Sequence, residues 1–337
     1  MARFDAIVLG AGIVGTSVAL HLVKRGLSVA LIDRRAPGEE TSYGNAGVIE
    51  GNTLFPPVFP SSLLAVLRVA LKRATEANYH LAFLPHVAPW LLSYRLASRP
   101  EKLIETARVM RPLFNRAVAE HETLLAEANA AHYMCKEGWL KVYRSDATFA
   151  ALAPELALAI EYGIPHRRLD FEGARALEPN LGPVVRHAVQ WSDVASVSNP
   201  LAVTRAYAAR FAALGGALLS ADARSLRRIN GGWRVDTMDG PREAGEVVLA
   251  LGPFTGEVLG PLGLKLPLGI KRGYHLHFQT GRNVTLTRPV LDADIGYCLA
   301  SMTQGIRLTT GAEFAHRDAP ATPVQFDRLM PAARQLF

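Results

Sequence analysis

The sequence predicts an α/β fold, α+β overall, that opens on a βαβ unit, and three observations predict it. A short apolar run from Phe4 to Leu9 leads directly into a glycine loop of the form G-x-G-x-x-G at residues 10–15. A stretch with helical spacing follows the loop, and a second apolar run at residues 28–32 ends on Asp33. This context makes the motif specific, because the loop lies between a strand and a helix and an acidic residue closes the next strand.

Each residue of this Rossmann-type motif has a physical role. Gly10 permits the sharp turn, Gly12 lets the backbone approach a pyrophosphate, and Gly15 allows the helix to pack close to the sheet. The N-terminus of the helix presents free N–H groups and a partial positive charge to phosphates. Asp33 can accept hydrogen bonds from ribose hydroxyls, and its charge disfavours the 2′-phosphate of NADP. The motif by itself does not distinguish FAD from NAD.

Two helices are predicted in detail. Val14, Val18 and Leu22 recur every four residues, which predicts that they form the buried face of the helix after the glycine loop. A second helix is predicted to begin at Asn199, because asparagine is a favoured N-cap and Pro200 suits the first helical position.

Length, composition and charge restrict the class of protein. A chain of 337 residues is too long for one ordinary compact core, so two connected domains are expected. Hydrophobic residues make up 49% and charged residues 20%, as in a folded globular protein. Cys135 and Cys298 lie far apart and lack metal-ligand spacing, so neither a metal site nor a disulfide framework is predicted. The net charge is +7, but the basic residues are scattered and no motif indicates nucleic-acid binding.

Targeting signals and membrane spans are not predicted. The apolar start is too short for a secretory signal, and no apolar run approaches the roughly 20 residues of a spanning helix. A cytoplasmic protein is therefore expected, with peripheral contact to the inner face of the plasma membrane through residues 61–96. Residues 61–73 carry that expectation, because Leu63, Leu64, Leu67 and Leu71 lie near one side of a predicted helix with Arg68, Lys72 and Arg73 elsewhere.

The segment after the second strand carries a family resemblance. Residues 40–47 read Glu-Thr-Ser-Tyr-Gly-Asn-Ala-Gly and resemble the second FAD-contacting loop of the D-amino-acid oxidase/dehydrogenase superfamily. The loop is most similar to that of the D-amino-acid dehydrogenase small-subunit group. Residues 247–253, 271–275 and 307–314 are similar to later strands of that family, so the resemblance extends from residue 4 to about residue 330.

The resemblance implies FAD as the cofactor and a Rossmann-type FAD-binding domain with an interleaved mixed/antiparallel β-sheet substrate domain. The implied boundaries are 1–60, 135–260 and 315–337 for a discontinuous FAD-binding domain, 61–134 for a helical insertion, and 261–314 for a substrate or cap domain. Together, motif and resemblance predict these cofactor-binding residues: Gly10, Ala11, Gly12, Ile13, Val14, Gly15, Asp33, Arg34, Thr41, Ser42, Asn45, Ala46, Gly47 and Gly252.

The resemblance also implies a reaction. An amino acid is oxidised at its C–N bond by hydride transfer to flavin N5, the imine hydrolyses to a keto acid, and the electrons pass to a quinone-like acceptor. Such chemistry belongs to amino-acid catabolism. Two further interpretations stay open: a glycine/sarcosine-type oxidase or hydroxyproline-like dehydrogenase, and a non-catalytic FAD-binding fragment or subunit.

Substrate-side residues are harder to predict. Tyr274 and His275 are the first candidates for catalytic residues, and Tyr297 is a weaker one. Arg307 alternates with Ile306 and Leu308, which predicts a solvated strand face rather than a substrate anchor. The family's usual carboxylate-binding arginine lies in a C-terminal Arg-Pro segment that precedes a glycine-rich stretch. Neither is found before the sequence stops at residues 332–337, so a truncated chain is expected.

Overall fold

The computed structural model describes residues 3–60, 62–281 and 284–337, so Met1, Ala2, Ser61, Arg282 and Asn283 of the predicted segments lie outside the described residues. The strands are β1 (Arg3–Leu9), β2 (Val29–Asp33), β3 (Val48–Glu50), β4 (Ala77–Tyr79), β5 (Met134–Cys135), β6 (Trp139–Tyr143), β7 (His166–Asp170), β8 (His187–Trp191), β9 (Val194–Val197), β10 (Ala217–Ser220), β11 (Arg227–Ile229), β12 (Gly232–Thr237), β13 (Gly240–Leu249), β14 (His275–Phe278), β15 (Val290–Asp292), β16 (Tyr297–Met302), β17 (Gly305–Thr309) and β18 (Ala312–Phe314). The helices are α1 (Ile13–Lys24), α2 (Leu63–Ala70), α3 (Leu84–Ala97), α4 (Pro100–Glu127), α5 (Asp146–Ala150), α6 (Ala153–Glu161), α7 (Phe171–Leu177), α8 (Pro200–Ala213), α9 (Thr255–Leu259) and α10 (Val324–Leu336).

The chain forms two compact units. The first unit contains Met1–Asn45, Glu122–Tyr133 and Asn199–Leu268, and the second unit contains Ala46–His121, Met134–Ser198 and Gly269–Phe337. These limits differ from the predicted domain boundaries, which assigned 46–60, 135–198 and 315–337 to the FAD-binding domain. For residues 135–198 the difference arises because β6, β7 and β8 pair into the large sheet of the second unit. Which domain serves which function stays a prediction.

A six-stranded sheet in the order β10-β2-β1-β13-β12-β11 forms the centre of the first unit. Strands β10, β2, β1 and β13 run parallel, and β12 and β11 continue antiparallel beyond β13. Ile7 and Leu9 of β1 and Ile32 of β2 are fully buried, as is typical of a parallel sheet covered on both faces. The predicted β1–α1–β2 opening is therefore confirmed.

Helix α1 buries a different face from the predicted one. Its buried residues are Gly15, Thr16, Ala19 and Leu20, whereas Val14 is 64% exposed, so the predicted Val14–Val18–Leu22 face is wrong. Small residues begin the buried face because α1 approaches the glycine loop too closely at Gly15 for a larger side chain, and Leu20 completes the face farther along the helix. Helix α8 begins as predicted, since the Asn199 side chain accepts a hydrogen bond from the Ala202 N–H at 3.0 Å.

A seven-stranded sheet in the order β14-β17-β16-β15-β6-β8-β7 forms the centre of the second unit. Only the β15–β6 pairing within it is parallel, so the predicted mixed/antiparallel sheet is confirmed. Leu299 and Leu308 join the core beneath one face, where α10 contributes Leu329 and Leu336. Arg144 ties α10 to the sheet, because its guanidinium donates to the Ala332 carbonyl at 2.8 Å and pairs with the buried Asp292.

No helix within the described residues is both long enough and apolar enough to cross a membrane.

Candidate cofactor site

The glycine loop of the first unit admits no side chain at two of its positions. Gly10 has φ +104°, and a Cβ there would lie 2.4 Å from the Ala250 carbonyl oxygen. A Cβ on Gly15 would lie 1.8 Å from the Gly10 carbonyl oxygen. Both contacts are with backbone, which cannot rotate away as a side chain can. Glycine at these positions therefore lets α1 start directly against the sheet, with its N-terminus at the carboxyl end of β1.

Asp33 fastens the glycine loop to the end of β2. Its Oδ2 accepts a hydrogen bond from the Ala11 N–H at 2.7 Å, and its Oδ1 accepts one from the Arg35 N–H at 3.0 Å. Each carboxylate oxygen keeps a second lone pair, so these bonds leave capacity for hydroxyl donors. Asp33 can thus hold the loop and a ribose together.

Ser42 caps α1 from a distant point in the sequence. Gly12 is the N-cap residue and has no side chain to accept a bond, and Ser42 Oγ accepts one from the Ile13 N–H at 2.9 Å instead. The hydroxyl hydrogen of Ser42 can still donate. The segment from Thr41 to Asn45 is thereby held at the positive end of the α1 dipole, where an anion is stabilised.

These elements surround a cavity of about 480 Å³, which is within the usual size range for a cofactor site. Its lining comes from the carboxyl ends of β1, β2, β10 and β13 and from the loops that follow them. Ten predicted residues line it: Gly10, Gly12, Ile13, Val14, Asp33, Arg34, Thr41, Ser42, Asn45 and Gly252.

Four predicted residues lie elsewhere. Ala11 is buried and donates its N–H to Asp33, and Gly15 lies in the contact between α1 and the loop. Ala46 and Gly47 belong to the second unit and do not line this cavity. Gly47 has a requirement of its own in the fold, because its φ is +69° and a Cβ would lie 2.3 Å from the Val197 carbonyl oxygen.

Sequence reasoning missed Glu40 and most of the lining at the ends of β10 and β13, namely Ala221, Asp222, Ala223, Arg224, Leu249, Ala250, Leu251, Pro253, Phe254, Thr255, Glu257 and Val258. Among them, Asp222 carries a fixed negative charge. The side-chain hydrogen bonds from Arg224 lower the pKa of Asp222 to about 2. The order of the strands could have indicated these residues, because ligands of open α/β sheets bind at the carboxyl ends of neighbouring parallel strands.

The predicted catalytic residue Tyr274 lies in a polar network of the second unit. Its hydroxyl donates to Glu313 Oε2 at 2.5 Å, and it accepts from Arg272 Nη2 at 2.8 Å and from the Thr322 N–H at 3.2 Å. Asn78 and Thr322 also donate to Glu313, which is fully buried. The Tyr274 hydroxyl therefore has a structural task, and its predicted role toward a substrate stays a prediction.

Arg307 is buried, with 3% of its surface exposed, so its predicted place on a solvated strand face is wrong. It lies opposite His277 on β14 and Ala300 on β16, and its Nε donates to His277 Nε2 at 3.0 Å. His275, the second predicted catalytic residue, lies on the same sheet face beside His277, with ring centroids 5.6 Å apart. Burial lowers the pKa of His275 and His277, and the Arg307 charge lowers both further.

Tyr297, the weaker substrate-side candidate, points into the core that α10 covers and is 1% exposed. Burial raises the pKa of its phenol, which stays neutral.

A comparison with known protein families identifies the family of this chain. The profile of a family described as FAD dependent oxidoreductase matches residues 5–337. This chain belongs to that family of FAD-dependent oxidoreductases. The predicted resemblance and its fold are thereby confirmed, and FAD is the cofactor of the family.

Two curated proteins are similar in sequence to this FAD-dependent oxidoreductase. It is 29% identical to a D-amino-acid oxidase of Bradyrhizobium diazoefficiens over 282 residues, 81% of this chain and 65% of that protein. The chain thus spans slightly less than two thirds of this relative. It is 28% identical to a D-amino acid dehydrogenase of Azorhizobium caulinodans over 360 aligned positions, 98% of this chain and 78% of that protein.

Among solved structures, the glycine oxidase of Geobacillus kaustophilus superposes with a TM-score of 0.70. The match covers 100% of this chain and 78% of the oxidase, at 19% identity. At that identity the likeness establishes the fold of the FAD-dependent oxidoreductase and nothing finer.

Proposed function

We propose that this chain oxidises the C–N bond of an amino acid with FAD, as an enzyme of the D-amino-acid dehydrogenase type. The cavity of the first unit carries the proposal, because it combines a glycine loop that admits no side chain at Gly10, a helix N-terminus and Asp33 in a chain that belongs to an FAD-dependent family. The names of the two curated relatives support an amino acid as substrate.

The residues of the cavity fit the adenosine diphosphate half of FAD. The N–H groups at the start of α1 would hold the pyrophosphate, because they carry partial positive charge and Gly12 removes steric obstruction. Ser42 would donate its hydroxyl hydrogen in the same region, with Thr41 and Asn45 beside it. The free lone pairs of Asp33 would accept from the ribose hydroxyls. Ala46 and Gly47 continue this loop, and we propose that they contact the cofactor on the side of the flavin.

When bound, FAD supplies the hydride acceptor, and the oxidised substrate leaves as an imine that hydrolyses to a keto acid. On the substrate side we propose His275 ahead of Tyr274, because the Tyr274 hydroxyl already serves Glu313. Burial and the neighbouring Arg307 lower the pKa of His275, so its imidazole stays neutral and can accept a hydrogen bond from an ammonium or amine group.

Anaerobic titration of the purified holoprotein tests this function. A D-amino acid should bleach the visible absorbance of the flavin without oxygen, and the matching L-enantiomer should be slower. Bleaching by glycine or sarcosine would instead support an oxidase of that type, and bleaching by hydroxyproline an imino-acid dehydrogenase. A yellow protein that no amine reduces would leave a non-catalytic FAD-binding polypeptide and overturn the proposal.

We also propose a quinone-like electron acceptor. Its test is the rate at which the substrate-reduced protein is reoxidised by a soluble quinone analogue and by oxygen. A faster reaction with the quinone supports a dehydrogenase, whereas a faster reaction with oxygen supports an oxidase.

We propose that this acceptor lies in a membrane, and the exposed leucines of α2 and of its C-cap residue Leu71 support a peripheral contact there. Leu63, Leu64, Leu67 and Leu71 are 83%, 74%, 50% and 56% exposed, and no residue of α2 is fully buried. A hydrogen bond holds the C-terminal end of α2 against β4, because the Tyr79 hydroxyl donates to the Ala70 carbonyl at 2.6 Å. The apolar face is therefore presented outward.

The charge around this face suits an anionic bilayer. Residues 61–96 contain four basic residues, Arg68, Lys72, Arg73 and Arg95, against one acidic residue, Glu76. Basic residues beside an apolar helix face are attracted to anionic lipid headgroups, and burial of each leucine adds roughly 1.5–3 kcal/mol.

Flotation with vesicles tests the membrane contact. The protein should float with vesicles that contain phosphatidylglycerol at low salt and should not float with purely phosphatidylcholine vesicles. The triple variant L63S/L64S/L67S should lose flotation, whereas the control variant Ile160→Ser, at an exposed isoleucine of α6, should keep it. Absence of flotation at low salt would refute the contact, and a concentration-dependent dimer that the triple variant abolishes would assign the face to self-association.

A further inference from the structure

The cavity of the first unit contains a cation–aromatic pair that the glycine motif does not explain. The guanidinium carbon of Arg34 lies over the ring of Phe254, 4.5 Å from its centroid, and both residues line the cavity. Arg34 follows β2, and Phe254 belongs to the short 3-10 turn after β13. The fold thus brings together two residues that are 220 positions apart in the sequence.

A carboxylate fixes the orientation of Arg34. Its Nη2 donates to Glu40 Oε1 at 3.1 Å, and the same oxygen pairs with Arg35 Nε at 3.1 Å. Guanidinium N–H bonds lie in the plane of the group. A hydrogen bond in that plane and Phe254 against one face leave the second face for a ligand.

The charges near Arg34 argue against a phosphate as that ligand. Asp33, Glu40 and Asp222 line the same cavity, and the hydrogen bonds from Arg224, with a smaller contribution from Arg34, keep the Asp222 pKa near 2. Three acidic side chains at this end of the cavity disfavour a second anion. A flat, neutral ring suits it, because guanidinium groups stack on nucleobases and cation–π attraction favours such stacking.

We propose that Arg34, held flat on Phe254, is the stacking platform for the adenine ring of FAD, with Phe254 as its positioning residue. This inference rests on the cofactor of the proposed function but not on the amino acid oxidised.

Dissociation of FAD from the holoprotein tests the platform. Dilution releases flavin, and the recovery of its fluorescence gives the Kd. Arg34→Lys keeps the charge but loses the planar group, and Phe254→Leu removes the ring beneath it. Each should raise the FAD Kd about tenfold, which matches the loss of one base-stacking contact. Phe254→Tyr keeps a ring and should stay within about twofold of the wild type.

Two further measurements separate a platform from a general structural role. The double variant R34K/F254L should bind FAD no more weakly than Arg34→Lys alone, because a positioning residue acts through its partner. ADP should compete with FAD less well in Arg34→Lys and in Phe254→Leu than in the wild type, whereas FMN, which lacks adenine, should bind all of these proteins equally. Thermal unfolding monitored by circular dichroism should show similar Tm values for the wild type and the single variants.

Two outcomes would overturn the inference. If Arg34→Lys binds FAD as tightly as the wild type, charge alone matters and Arg34 is a phosphate ligand. If Phe254→Leu weakens FMN and ADP alike, Phe254 supports the whole unit rather than the platform. Neither outcome depends on turnover, so a protein that no amine reduces can still confirm the platform, and an active enzyme can still refute it.

Discussion

The carboxylate of Asp33 accepts a hydrogen bond from the backbone N–H of Ala11, with 2.7 Å between Oδ2 and the nitrogen. This bond joins the end of β2 to the loop between β1 and α1. The residue expected to recognise the ribose thus also holds the loop expected to recognise the pyrophosphate.

Replacement of Asp33 by alanine should therefore weaken FAD binding by more than one lost ribose contact. Loss of the acceptor leaves the Ala11 N–H unsatisfied, and together with the ribose contact this should cost about 2–3 kcal/mol, or a rise in the Kd of roughly 30–150-fold. Asp33→Asn keeps an oxygen that can accept from Ala11 and should lose less than the alanine variant. Fluorescence of released flavin gives the Kd, and equal losses in the two variants would contradict a role for the Ala11 bond.

Gly15→Ala should prevent α1 from seating against the glycine loop. Its Cβ would meet the Gly10 carbonyl at 1.8 Å, so backbone must move, and overpacking of this kind costs about 1–3 kcal/mol or more. Thermal unfolding and the ratio of bound FAD to protein should both fall. Gly256→Ala is the matched control, because a Cβ at that position of α9 meets no atom within 4 Å. A Gly15→Ala protein with normal FAD content and Tm would show that the loop tolerates the shift.

Protonation of Glu313 should make the protein less stable in acid. Burial raises its pKa, but the hydrogen bonds from Tyr274, Thr322 and Asn78 outweigh burial and hold the pKa below the ordinary value of 4.5. The unfolded chain therefore binds this proton more readily, and the stabilisation is complete above the unfolded pKa and is lost as pH falls through the folded one.

Glu313→Gln removes this contribution. The Tm of the variant should therefore lie furthest below the wild-type Tm at neutral pH and approach the wild-type Tm in acid. Unfolding curves between about pH 3 and pH 7 measure the difference. Glu161→Gln, at an exposed position of α6, should follow the wild type throughout. A constant gap between Glu313→Gln and the wild type would contradict the titration.

Substitution of His275 should mainly affect reactivity, whereas substitution of Tyr274 should mainly affect stability. His275→Ala should slow flavin reduction by the amino acid, by about 100-fold if the imidazole orients the reacting amine, while FAD affinity stays unchanged. Tyr274→Phe should mainly lower stability, by about 1–3 kcal/mol, because Glu313 and the Thr322 N–H lose a partner. Anaerobic stopped-flow reduction and thermal unfolding of both variants measure this. The reverse pattern would make Tyr274 the residue that meets the substrate.

Local sequence patterns predicted the opening βαβ unit because its signals are short in range. The glycine spacing, the apolar runs and the acidic strand end each depend on residues that are close in sequence. The same patterns misled where packing distance decides. Val14, Val18 and Leu22 have a helical period, yet α1 approaches the sheet so closely that the small face with Gly15 and Ala19 is buried.

Alternation along one strand was similarly insufficient for Arg307. Period two places Arg307 and its neighbours Ile306 and Leu308 on opposite faces of the sheet, and it does not tell whether the second face is covered. The structure buries all three. The place of a residue in a sheet with two covered faces depends on elements that are distant in the chain.

The sequence by itself predicted a dinucleotide-binding motif at Gly10, Gly12, Gly15 and Asp33, and by resemblance it predicted FAD as the cofactor. Only the tertiary structure decided which residues complete the cavity. Asp222 and Phe254 line it because β10 and β13 end beside β1 and β2 in one parallel sheet. That juxtaposition is a property of strand order, which local periodicity does not encode.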